Sequence, residues 1–198
     1  MDLDALRAAI ASGDPSRSMP ALAALREATP EQAEPLLLLG LEQSAFMVRS
    51  LSCAGLGMKP TPAGWQALVQ ALHGDDDANV RAEAANALVS HSLQRAWPLL
   101  LAVFERDSQW LVRCSILSAV AEHPEMPAAD LLQLARLAIA DGDGTVRVGG
   151  AEILGRLVRD GAAAGSPPWA QQARAELVAL QHDSDHRVVA AALNGLQG

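Results

Sequence analysis

Tyrosine is absent from these 198 residues, and aromatic residues of all kinds make up 3% of them. Sandwiches and barrels draw on aromatic and β-branched residues, so this scarcity argues against both. Lysine is nearly absent too: Lys59 is the only one among 15 basic residues. Asp and Glu number 23, the net charge is −8, and no basic run occurs. Such a chain is a poor electrostatic match to a phosphate backbone or an anionic lipid surface, so neither nucleic acid nor membrane is expected as a partner. Cys53 and Cys114 are the only cysteines. Two make neither a disulfide framework nor a full metal site, and a cytoplasmic protein with reduced thiols is the default expectation. The longest apolar runs, such as Pro35–Leu39 and Pro98–Phe104, fall far short of the ~20 residues of a membrane span. The acidic start Met1-Asp2-Leu3-Asp4 is unlike a signal peptide.

Alanine (39) and leucine (30) together supply about a third of the chain. That excess of strong helix formers predicts an all-α protein. A Val-Arg pair recurs at Val48-Arg49, Val80-Arg81, Val112-Arg113 and Val146-Arg147, at spacings of 32, 32 and 34 residues, with a weaker copy at Val188-Val189. Four residues after each Val stand Ser52, Ala84, Ile116, Gly150 and Ala192. Seven after stand Gly55, Ala87, Ala119, Ile153 and Gly195, and eight after stand Leu56, Leu88, Val120, Leu154 and Leu196. Offsets of 0, 4, 7 and 8 share one stripe of an α-helix, and small residues there allow close helix approach.

Upstream of the Val, two slots favour aspartate. Asp75, Asp107, Asp141 and Asp183 lie five residues before it, and Asp77, Asp143 and Asp185 lie three before it. A carboxylate there caps a helix start. Before that comes a second apolar segment: Pro62–Leu72, Ala96–Phe104, Pro127–Ile139 and Pro168–Leu180. Each unit is thus a first helix, a turn, an Asp cap and a second helix. Two such helices cannot bury both apolar faces alone, so the units are predicted to stack as an α-solenoid. The expected layout is an N-terminal helical cap over 1–30, four repeats over 31–160, an inserted loop over 161–168 and a C-terminal capping repeat over 169–198, all in one domain.

Arg49, Arg81, Arg113 and Arg147 are expected to form an inter-repeat ladder with Asp75, Asp77, Asp107, Asp141 and Asp143. As exposed pairs these would add only ~0–1 kcal/mol each. The pattern Asp-x-Asp-x-x-Val-Arg-x-x-Ala-x-x-x-Leu, clearest at Asp75–Leu88 and Asp141–Leu154, resembles HEAT repeats, in particular the short repeats named after phycobilisome lyases and known from cyanobacteria. The resemblance runs over roughly residues 31–198. It implies a scaffold or adaptor for a protein partner. Its alternative implication is a bilin lyase or lyase-like chaperone, which would hold a linear tetrapyrrole; no other cofactor is expected.

Chemistry that might hide in the repeats has structural alternatives. Asp141–Glu152 imitates a calcium-binding loop, yet Val146 stands where the sharp-turn glycine is required, so a capped helix start is expected. His182 and His186 straddle a turn rather than share a helix, so no metal is expected there. Nothing places a nucleophile beside a base, so the reading leans away from an enzyme. A partner-binding groove is expected along the second helices. It would comprise Met47, Leu51 and Met58 in the first unit and Asn79, Glu83 and Asn86 in the second. Trp110, Leu111, Cys114, Ser118 and Glu122 would follow in the third, and Glu152 and Arg156 in the fourth. Trp65 and Trp97 occupy equivalent slots and are expected to pack between repeats, whereas Trp110 and Trp169 are candidate contacts.

Overall fold

The structure, a computed structural model, describes residues 1–197. It is all-helical, with no strand among the described residues. The helices are α1 (Leu3–Ile10), α2 (Pro15–Ala24), α3 (Pro30–Leu41), α4 (Phe46–Met58), α5 (Pro62–Gly74), α6 (Ala78–His91), α7 (Leu93–Arg106), α8 (Trp110–Ala121), α9 (Ala128–Ile139), α10 (Gly144–Ala163), α11 (Pro168–Leu180) and α12 (His186–Leu196). A single 3-10 turn, Leu25–Glu27, follows α2. The chain forms two compact units, Met1–Ile116 and Leu117–Gly198.

In the first unit, α1 and α2 pair with each other, and α2 also packs on α4. Helix α2 begins at Pro15. Pro15 sits at the first helical position, where its missing N–H costs nothing, and Asp14 caps the start. Thr29 and Gln32 form a reciprocal capping box at α3. Helix α4 packs on α3 and α6, and α6 packs on α5 and α7. Ser52 is buried, donates to the Val48 carbonyl at 2.8 Å, and faces Gly40 of α3.

In the second unit, α10 is the hub, packing on α9, α11 and α12. The inserted segment is shorter than its sequence reads. Helix α10 runs on to Ala163, and only residues 164–167 lie outside helix. Gly161 lies within α10, and its lack of a side chain lets Ala170 and Trp169 of α11 approach closely. Gly165 and Ser166, at φ +79° and +57°, end the run in the left-handed region. The repeat valines Val48, Val80, Val112, Val146 and Val188 are all buried, and their stripe forms the core of each unit.

Candidate functional site

The turn faces are tied together by ion pairs. Arg49 grips Asp75 with two bonds (2.7 and 2.9 Å) and also donates to the carbonyls of Gln43 and Ser44 in its own turn. Arg81 repeats this with Asp107 (2.7 and 3.0 Å), and Arg147 with Asp183 (2.9 and 3.0 Å). Arg113 donates to the Asp107 carbonyl at 2.6 Å. These pairs differ from the exposed ones expected. Their side chains are only 8–16% exposed, and each carboxylate is gripped bidentately. Hydrogen bonds to charged groups in such settings are worth about 1.5–3 kcal/mol rather than under 1. Burial pushes the carboxyls of Asp75 and Asp107 up, but hydrogen bonds from the arginines and from the turn N–H groups outweigh it and leave both below the ordinary value of 3.8. Where a turn carries a second aspartate, that residue caps the following helix. Asp77 caps α6 through Asn79 N, and Asp143 caps α10 through Thr145 N and Val146 N.

A second set of bonds runs backward, and the sequence pattern did not reveal it. Lys59 donates to the carbonyls of Arg26 and Ala28 (2.8 and 2.7 Å). His91 Nε2 lies 2.8 Å from the Leu56 carbonyl. Arg156 donates to the carbonyls of Ala121 and His123 (2.7 and 2.9 Å). Each lies ten or eleven residues after its Val and reaches back to main-chain carbonyls at or near the end of an earlier helical segment. Arg156 is therefore occupied in a structural bond, not offered on an open groove.

On the outward face of the first unit, α4 carries Met47, Leu51, Ala54 and Met58 at helical spacing. Met47 and Met58 are 44% and 62% exposed, and Phe46 beside them is 39% exposed. The N-terminal helices cover this stripe only in part. Between them and α4 lies a cavity of about 260 Å³, lined by Leu22, Leu25, Leu37, Leu51 and Met58, with Arg26 and Lys59 also on its wall. Helix α6 carries the equivalent positions as Asn79, Glu83, Asn86 and Ser90. Asn79 bonds its own cap, Asp77, while Asn86 accepts from Ser115 at 3.1 Å. Glu83 is half-buried and makes no ion pair or hydrogen bond among the described residues, and desolvation alone raises its pKa. Trp110, at the start of α8, is 46% exposed, and Leu111 and Cys114 are half-buried.

In the second unit Ser118, Glu122 and Glu152 are exposed. Trp169 is half-buried against Gly161. Trp65 is also half-buried, with the Arg95 guanidinium 4.0 Å above its ring and His91 beside it. Cys53 is buried, which pushes its thiol up to about 12 and makes it inert. His182 follows α11 and His186 opens α12, so a turn separates them. Among the described residues no group of three or more His, Cys, Asp or Glu is arranged to hold a metal, and no helix is long and apolar enough to cross a membrane.

No curated protein sequence matches the chain. Among solved structures, an engineered protein is similar over 100% of this chain and 96% of its own, with a TM-score of 0.58 and 16% identity. Human deoxyhypusine hydroxylase in complex with glycerol is similar over 99% and 96%, with a TM-score of 0.52 and 14% identity. At these identities the likeness extends to the fold alone. The complex of CpcE and CpcF of phycocyanin lyase from a Nostoc species matches at a TM-score of 0.42 and 20% identity over 100% of both chains, too distant to bear on activity. At the level of sequence, residues 34–121 match the family described as HEAT repeats. The buried valines Val48, Val80 and Val112 and the Arg–Asp pairs beside them fall at the repeat spacing of this match: residues 34–121 are built as HEAT repeats.

Proposed function

We propose that the chain is a protein-interaction scaffold that holds a partner against the outward faces of its second helices. The observation that carries this is the stripe of Met47, Leu51 and Met58. Two exposed methionines and a leucine line up on one helix beside an open cavity. Flexible thioether side chains at an exposed site suit a protein contact, because they adapt to a partner's shape. The ion-pair ladder and the backward caps hold the helices that present this face.

A photo-crosslinking residue at Met58, compared with one at Gln70 on the exposed side of α5, tests the reading in cells. A discrete adduct at Met58 that is absent at Gln70, and is lost when Met47 and Leu51 are changed to Glu, is the expected result. Equal labelling at both positions would count against it. A shift in the visible spectrum of a linear tetrapyrrole added to the purified chain would favour the lyase alternative instead.

A further inference from the structure

We propose that the α4 face receives an amphipathic helical segment of a partner protein, which places one large apolar side chain in the cavity beside Leu51 and Met58 and a Lys or Arg against Glu83. This rests on the scaffold reading and specifies the partner's chemistry.

The size of the cavity comes first. At about 260 Å³ it falls below the ~300–1,000 Å³ that holds a drug-sized ligand. It suits a single large side chain, the kind of buried anchor that dominates protein interfaces. The shape of the stripe comes second. Met47, Leu51, Ala54 and Met58 span twelve residues of α4, or roughly 16 Å over eleven steps of about 1.5 Å. A partner helix of three turns matches that length and offers its own i, i+4, i+7 side chains to it.

Charge comes third. Glu83 occupies the position on α6 that Leu51 occupies on α4, and α4 and α6 pack side by side. Packed helices lie about 8–10 Å apart, within reach of one long basic side chain seated between them. Glu83 is half-buried and has no partner among the described residues, an arrangement that costs stability unless something supplies a cation. The Arg and Lys side chains at α4 and α6 are already engaged: Arg49 and Arg81 by aspartates, Lys59 by two carbonyls. The site thus combines an apolar stripe, a one-residue cavity and an unmatched carboxylate, and a basic amphipathic helix complements all three.

The test is a displayed library of 16-residue helix-forming peptides, selected on the purified full chain. Enriched sequences are expected to carry large apolar residues at i, i+4 and i+7 with a Lys or Arg one turn away. A synthetic copy of the best sequence should gain helix on binding. Glu83→Gln and the cavity-filling Ala54→Trp should each weaken it by tenfold or more. Glu105→Gln makes the same charge change on α7 and should leave affinity within twofold, which separates a specific pair from the pull of the −8 net charge. Thermal unfolding of Glu83→Gln should occur no lower than wild type, so lost binding is not lost folding. Enrichment of acidic sequences, or no enrichment, would overturn the proposal. Peptides that bind but ignore both site variants would overturn it while leaving the scaffold reading intact; failure of the Met58 crosslink as well would remove both.

Discussion

Glu83 sets a stability cost against a binding role. Its carboxylate is half-buried with no counter-ion among the described residues, and desolvation raises its pKa above the ordinary 4.5. The folded state therefore resists ionising it. Below pH 4.5 the group is neutral in both folded and unfolded chains and no penalty exists. As pH rises through the raised folded value, the penalty grows and then stays constant. Glu83→Gln should therefore raise Tm modestly at pH 7, and the gain should vanish near pH 4. Differential scanning calorimetry at the two pH values checks this; a lower Tm at pH 7 would show that the carboxylate is supported after all. The ladder residues carry the opposite sign. Asp107 is 8% exposed and bidentate with Arg81, so Asp107→Asn should cost about 2 kcal/mol. For a chain of this size that corresponds to about 4–8 °C in Tm, readable by circular dichroism.

At the scale of elements, closeness and capping decide how repeats join. Gly155 of α10 faces Gly195 of α12, and a Cβ added to Gly155 would lie 2.9 Å from the Gly195 Cα. Backbone cannot yield as a side chain can, so Gly155→Ala should destabilise by about 1–3 kcal/mol. Gly57 meets Ala87 in the same way between α4 and α6. The pattern of small residues four and seven after each Val showed half of this contact. The other half, nine residues after the Val, escaped notice because only Gly57 and Gly155 mark it, with Val89 and Ala121 at the same slot elsewhere. The backward caps were harder still to see. Their donors differ in type, as Lys59, His91 and Arg156, and their acceptors are main-chain carbonyls, which leave no trace in a sequence. The Val-Arg-Asp spacing was legible because both partners of each pair are side chains at fixed repeat positions. Arg156→Met keeps the apolar stem but removes the donors to Ala121 and His123. It should cost about 1–3 kcal/mol and speed hydrogen exchange at the end of α8, measurable by mass spectrometry.

For the whole molecule, many of the aspartates serve the repeats: the Arg–Asp pairs sum to zero charge, and the capping aspartates supply part of the −8. Asp75, Asp107 and Asp183 pair with arginines of the preceding unit, and Asp14, Asp77, Asp143 and Asp185 cap helices. The pairs and caps hold Asp75, Asp107, Asp183 and Asp185 below 3.8, the last at about 2. A depressed folded value means that the unfolded chain binds more protons in that window, so stability rises with pH there. The contribution is complete above the unfolded value near 3.8 and is lost as pH falls through the folded values. Acid should therefore loosen the repeats at their turns while their apolar cores still favour collapse. Between pH 4 and pH 2 the far-ultraviolet helical signal should persist longer than the near-ultraviolet tryptophan signal. In the triple variant Asp75→Asn, Asp107→Asn and Asp183→Asn, the chain should start less stable at pH 7 and show a shallower acid limb. An acid limb as steep as that of wild type would place the proton-sensitive groups outside the ladder.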